Sequence, residues 1–374
     1  MDIAERIKKY QAIEDYRGRP LIAYATSTRR NVRAMMAGDA VRWFIDQIDA
    51  ISDGESVDIL IHSTGGDALA AWKLMSTLRG RFSDVAVLVP YMAFSAATIF
   101  CLGADEIVMH PHASLGPIDP QISLLNKDGT RRQFSFEDVG AFLRFLADEI
   151  RITEQAQVSP VVEKLLSVVD PLILGSAKRA SELSTDVGER LLQTHMTEPE
   201  EASRTRDIAE NLNKSFFAHG DAVSRLRAKE LDLKVADSDR KLEALIWEAY
   251  VALEEHMELE KPFLPMEHFI ANGGAPAVAA VPPVPIPPNA PAQVVKQIWT
   301  TVIQQAVQAA GGQGIEVPYS LINALIESCR TSAEFRTNGV LTATRQPDGE
   351  IKLLASERGA SWTRVEFTDG EEED

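Results

Sequence analysis

The chain has 374 residues, 45% hydrophobic and 25% charged, with 38 basic against 55 acidic side chains and a formal charge of -17. That length allows more than one domain and a sizeable core, while the acidic balance disfavours nonspecific nucleic-acid binding, which depends on neutralising phosphates. Cys101 and Cys329 are its two cysteines, too few for a disulfide framework or a cysteine zinc site. Met1 to Arg6 lack the basic-then-apolar pattern of a signal peptide, so a cytoplasmic location is expected.

In chain order, Asp2 to Glu14 read as an amphipathic helix, and Pro20 introduces a strand over Leu21 to Ala25. A helix from Asp39 to Ile51, a strand over Val57 to Ile61, a helix from Asp67 to Leu78 and a strand over Val85 to Val89 follow. Then come the apolar helix Ala96 to Leu102 and the short strand Glu106 to Met109. This alternation predicts an α/β fold with a mainly parallel sheet. Val85 to Ala104 are twenty residues without a charge. That is long enough for a membrane span, but Pro90, Ser95 and Gly103 interrupt it, and its Val-rich opening reads as a strand buried on both faces. No stable membrane span is expected.

From Phe136 to about Leu174 the pattern turns helical, with Phe142, Phe145 and Leu146 on one face, as for an inserted arm. Further helices are predicted over Pro199 to Phe217, a turn at Ala228 to Leu231, and Leu242 to Met257. Seven prolines between Ala275 and Ala292 mark a semi-rigid linker. Beyond it, Gln293 to Ala310 and Pro318 to Arg330 read as helices, and Val340 to Thr344 with Ile351 to Leu354 as a hairpin around Pro347-Asp348-Gly349. The expected organisation is a main domain over 1–270, a linker over 271–292, a small α+β module over 293–368 that would dock a partner, and an acidic tail over 369–374.

Two loops carry the chemistry. Ser63-Thr64-Gly65-Gly66-Asp67 follows the second strand, and Ala93-Phe94-Ser95-Ala96-Ala97 follows the third, with Ser95 lying 29 residues after Gly66. Glycines at a strand-to-helix turn leave backbone N–H groups for a developing oxyanion, and Ser95 supplies a hydroxyl nucleophile.

Together with Ala104-Asp105-Glu106-Ile107-Val108-Met109 and Leu115-Gly116-Pro117-Ile118-Asp119-Pro120-Gln121, these loops resemble the serine dehydrogenase proteinase family, a relative of the Clp proteolytic subunit and signal-peptide peptidase A. The resemblance runs from about Arg6 to Val235. It implies a Clp/crotonase-like spiral of ββα units, Ser95 as nucleophile, and an oxyanion hole at Gly65, Gly66 and Ala96. It also implies peptide or unfolded-protein substrates and a homo-oligomer, with no cofactor and no metal. A histidine about 25 residues after the serine, as in the Clp subunit, is missing, because Ile118 to Pro120 occupy that neighbourhood. The family's Ser, Asp, His order is met by Ser95, Asp119 and His219. Gly175 to Ala180 resemble the lysine segment of signal-peptide peptidase A, making Lys178 an alternative base.

Each residue also has a plainer role. Ser95 would serve as a helix cap, Gly65 and Gly66 as a tight turn, Asp119 in an Asx turn, His219 as a helix end and Lys178 on a solvated face. His110 and His112 suggest a metal pair with no third ligand nearby. His62 fills space behind the oxyanion strand, and Trp43, Trp72 and Trp247 make core or subunit contacts. Two other functions compete with peptide hydrolysis: crotonase-like chemistry on acyl-CoA thioesters, and a catalytically silent scaffold.

Overall fold

Alternate side chains of a strand face opposite ways, so a strand that is apolar throughout must be covered on both faces. The first strands of this chain are of that kind. The computed structural model describes residues 2–52, 54–125, 131–214, 222–275, 289–309, 315–345 and 351–367. Its opening half runs α1 (Ile3–Arg17), β1 (Leu21–Thr26), α2 (Ala40–Asp49), β2 (Ser56–His62), α3 (Ala68–Arg79) and β3 (Asp84–Val89). Next come β4 (Met92–Ala93), α4 (Ala96–Cys101), β5 (Glu106–Met109) and β6 (Ser114–Leu115). The predicted alternation is present, and β1, β2, β3 and β5 pair in parallel.

Ile59 and Ile61 point to the layer of α2, α3 and α4, whereas Leu60 between them joins the layer on the opposite face. All three are 0–1% exposed. Each such side chain contributes roughly 1.5–3 kcal/mol by leaving water. The uncharged run from Val85 to Ala104 is strand, turn and buried helix, and among the described residues no helix is long and apolar enough to cross a membrane.

The helical arm is built from the hairpin β7 (Ile122–Leu125) and β8 (Arg131–Phe134), then α5 (Phe136–Asp148), α6 (Gln155–Leu166) and the long α7 (Pro171–Leu192). Leu146 is buried, while Phe142 and Phe145 remain exposed. The predicted helix over 199–217 is divided into α8 (Pro199–Ala202) and α9 (Thr205–Lys214). After β9 (Val223–Ser224) and α10 (Arg225–Glu230), α11 (Arg240–Met257) packs against α1. The short α12 (Pro265–Phe269) follows. Most of the proline-rich linker and the acidic tail lie outside the described residues, and α13 (Ala292–Ala309) matches the first helix expected beyond the linker.

The C-terminal part departs from the sequence reading. Pro318 to Arg330, expected as a helix, is mostly the strand β10 (Glu316–Glu327), followed by β11 (Ser332–Arg345) and β12 (Ile351–Val365). These strands are not set apart from the main domain. β10 pairs antiparallel with β1, and the seven-stranded sheet runs β12-β11-β10-β1-β2-β3-β5. The apolar positions Leu321, Ala324 and Leu325 fit a helical face, but the free edge of β1 offers a ladder of backbone partners, and pairing there overrides the local pattern. The predicted hairpin exists with much longer arms; its turn at Pro347-Asp348-Gly349 lies outside the described residues.

Candidate active site

The site lies beyond the carboxyl end of β2, where ligands collect in open parallel sheets. Ser63 N donates to Met92 O at 3.1 Å and Phe94 N to Ser63 O at 2.9 Å, which seats the two loops against each other. A second tie holds the glycine loop from the other side. Met36 N donates to Gly65 O at 2.7 Å, and Asp67 N to Met36 O at 2.9 Å. Asp67 then caps α3 by accepting from Leu69 N.

Glycine is required at both positions. Gly65 has φ +100, and a Cβ there would sit 2.5 Å from Phe94 O and 2.7 Å from Ser95 Cβ. Gly66 has φ +155, and a Cβ there would sit 2.2 Å from Met36 O. The two N–H groups differ. That of Gly65 is spent on Ser63 Oγ at 3.0 Å, itself an acceptor from Thr26 Oγ1 at 2.7 Å. The Gly66 N–H has no protein acceptor among the described residues, and Gly66 is exposed. The Ala96 N–H, the first of its helix, likewise has no protein acceptor among the described residues, although Ala96 itself is buried. Gly66 and Ala96 therefore each leave a backbone N–H without an acceptor among the described residues, while Gly65 provides clearance.

Ser95 has φ 52 and ψ -120, a conformation that costs an L-residue of order 1–3 kcal/mol. Although it stands at the N-cap position of α4, its side chain makes no capping hydrogen bond. The helix-cap role is thus removed. Its backbone is held from both sides: Ala97 N donates to Phe94 O at 2.9 Å, and Thr98 Oγ1 donates to Ala93 O at 2.7 Å while accepting from Gly116 N at 3.0 Å. Such a strained serine at a sharp strand-to-helix turn is the local geometry of a nucleophile elbow.

Ser95, Gly66 and Ala96 open onto a cleft of about 480 Å³ also lined by Met35, Gln121 and Ser184. Asp119 is 9% exposed beside this cleft and accepts from Gln121 Nε2 at 3.1 Å. Its neighbour Ile118 donates through N to Leu212 O at 2.9 Å, binding α9 to the Asp119 segment. β9 resumes the chain by pairing antiparallel with β6, which pairs in parallel with β4. His219, between α9 and β9, lies outside the described residues.

Lys178 is not brought to the cleft. On α7, Ala177, Ser181 and Ser184 are buried, and the cleft takes Ala180, Leu183 and Ser184. Lys178 falls on the opposite face, 58% exposed, with its Nζ 3.6 Å from Glu182. Helical periodicity thus separates it from the inward stripe.

His110 and His112 pack on Trp247, with ring centroids 4.8 and 5.4 Å away, and no group of three or more possible metal ligands occurs among the described residues. His62 lies fully buried behind the oxyanion strand, its Nε2 3.3 Å from Thr28 Oγ1. Burial pushes its pKa down to about 3, so the ring is neutral. Trp43 stacks on Trp362, while Trp72 is partly buried against the core. Sequence reasoning missed Met35 and the α7 wall; a legible signal for the latter was the inward stripe Ala177-Ser181-Ser184 on a long helix.

Residues 34–129 match the family described as ClpP-like SDH-type serine proteinases. Two uncharacterized proteins of Methanocaldococcus jannaschii are each 39% identical, one over 75 residues and the other over 66. These matches take in 20% and 18% of this chain, and 26% and 23% of the relatives. The chain therefore spans about a quarter of the length of the curated relatives it matches.

Among solved structures it is similar to a membrane-bound stomatin-specific protease in complex with a substrate peptide. That similarity has 15% identity and TM-score 0.34, over 55% of this chain and 73% of that one. A probable enoyl-CoA hydratase/isomerase from Mycobacterium abscessus has 16% identity and TM-score 0.29, over 59% and 66%. The matched segment, residues 34–129, contains both loops of the site.

Proposed function

We propose that this protein is a serine peptidase that cleaves extended peptides or unfolded chains through an acyl-enzyme on Ser95. The observation that carries the reading is the strained Ser95, free of any capping bond, beside the open N–H groups of Gly66 and Ala96. Ser95 Oγ attacks the scissile carbonyl, and the negative charge that develops on its oxygen is held by the two N–H groups. Collapse of the tetrahedral species expels the amine, and water then releases the acyl group.

His219 is the base in this reading, with Asp119 fixing its tautomer and stabilising the imidazolium. Both flanks of the segment that carries His219 support it: α9 is tied to Ile118, and β9 is tied through β6 to the strand that delivers Ser95. Lys178, turned outward to Glu182, is given no catalytic role. The enzyme would act in the cytoplasm as a homo-oligomer, needing neither metal nor organic cofactor.

Thioester chemistry of the crotonase kind would use the same oxyanion pair but has no use for a strained serine. Hydrolysis of an unfolded casein and of a fluorogenic peptide separates the readings. Ser95→Ala should lower kcat/KM by at least about 10³-fold and His219→Ala by a comparable factor. A folded Ser95→Ala protein that retains wild-type hydrolysis would sink the proposal.

A further inference from the structure

A second cavity, of about 720 Å³, opens beside the catalytic cleft, and Ala34, Met35 and Thr64 line both. Its walls come from two distant parts of the chain: Tyr24 and Val32 from the N-terminal region, and Ala324, Phe335 and Trp362 from the C-terminal strands. These strands lie outside the segment matched by the family. The cavity is therefore walled partly by the matched segment and partly by strands outside it.

The wall is fixed in position. Trp362 donates from Nε1 to Asp39 Oδ2 at 2.8 Å and has ring centroids of Trp43 and Phe335 at 5.9 and 5.6 Å. Arg29 also borders the cavity, but its charge is spent elsewhere, with Nε donating to Lys261 O at 2.7 Å and Nη1 at 2.7 Å from Glu258. Arg33 and Asp39 add charged groups and Ser27, Thr28 and Asn323 polar ones at its border, while Tyr24, Phe335 and Trp362 supply the apolar part of the wall. Tyr24 is 1% exposed, and its phenol proton has no acceptor among the described residues.

The ridge between the two cavities is a strip without regular secondary structure, held at both ends. Asn323 Nδ2 donates to Arg33 O at 2.6 Å, and Met36 is bridged to Gly66. Between these anchors the backbone N–H and C=O groups of Ala34 and Met35 have no partner among the described residues, and the Met35 side chain is 61% exposed. Unpaired backbone next to a pocket is how proteins take up extended peptides: main-chain bonds supply affinity, and the pocket selects a side chain.

We infer that the substrate peptide lies across Ala34–Met35 and inserts one large apolar side chain into the cavity walled by Tyr24, Phe335 and Trp362, so that the C-terminal strands set the cleavage preference. This rests on the peptidase reading given above. Such a pocket discriminates by the apolar surface it buries, so exchanging Phe for Ala in the substrate should change kcat/KM by about tenfold or more.

The test is a set of fluorogenic peptides in which Ala is replaced by Phe at one position at a time. Wild type should favour Phe at one position near the scissile bond by about tenfold or more. In Trp362→Ala, and in the milder Trp362→Leu and Phe335→Leu, that ratio should fall to within about twofold, while the rate of Ser95 labelling by a small fluorophosphonate stays at the wild-type value. A wild type that cleaves peptides without preference at any position overturns the inference and leaves the peptidase reading standing. So does a Phe/Ala ratio unchanged in the variants. A wild type that labels and cleaves nothing overturns both.

Discussion

The two ends of the central sheet are built on opposite principles. At the end where β2, β3 and β5 begin, charges are paired off. Arg17 donates from Nε to Asp58 at 2.8 Å and from Nη2 to Glu106 at 2.7 Å, and Arg19 reaches Asp84 at 3.1 Å. At the same end Arg6 holds Glu327 through two bonds of 2.9 and 2.7 Å, and Arg330 holds Glu14. The opposite end carries the site, and there the backbone is strained at Ser95 and two N–H groups are left open. One end pairs its charges to lock N-terminal helix, sheet and C-terminal strands together. The other leaves some of its polar groups unsatisfied, and only a rigid frame makes that affordable.

Breaking the saturated end should have the largest effect on stability. Arg6→Ala removes the guanidinium from Glu327, which is 0% exposed and keeps the bond from Ser332 Oγ at 2.8 Å. A loss of about 3–5 kcal/mol in urea unfolding is expected, with kcat per folded molecule unchanged below the melting transition. A drop in kcat matching the drop in stability would mean that the two ends are not separable.

The next effect is one of pH. Buried His62 has its pKa pushed down to about 3 by burial, whereas an unfolded histidine titrates near 6.5. Its contribution is therefore present above pH 6.5 and is lost as pH falls toward 3. Between pH 7.5 and pH 5 it should remove roughly 2 kcal/mol from wild-type stability. His62→Gln should lack that part of the slope. Parallel slopes for wild type and variant would show that His62 titrates in the folded protein as it does unfolded.

The smallest effect runs the other way. Ser95→Gly relieves a residue at φ 52 and should raise unfolding stability by about 1 kcal/mol while abolishing hydrolysis. A destabilised Ser95→Gly would indicate that the serine side chain contributes more to packing than its backbone strain costs.

Much of the saturated frame was legible in the sequence, because uninterrupted apolar runs such as Val57 to Ile61 and Val85 to Val89 leave few alternatives to buried parallel strands. The two loops were legible as well, since Gly65-Gly66 and Ser95 each sit next to such a run. Three things were hidden. Division of labour between Gly65 and Gly66 depends on the hydroxyl of Ser63, a contact that spacing does not reveal. The side of α7 that carries Lys178 depends on which stripe the cleft takes, and a lysine beside a short small-residue pattern says nothing of that. Strand β10 was read as a helix because Leu321, Ala324 and Leu325 satisfy helical spacing, and only the edge of β1, almost three hundred residues away, decides otherwise.

The most direct measurement is covalent: expose the full chain to a fluorophosphonate and locate the adduct by mass spectrometry, with Lys178→Ala and His219→Ala alongside. Modification of Ser95 in wild type and in Lys178→Ala, and its loss in His219→Ala, is the predicted result. Wild-type protein that is folded yet unmodified at Ser95, or that loses modification only when Lys178 is removed, would contradict the account.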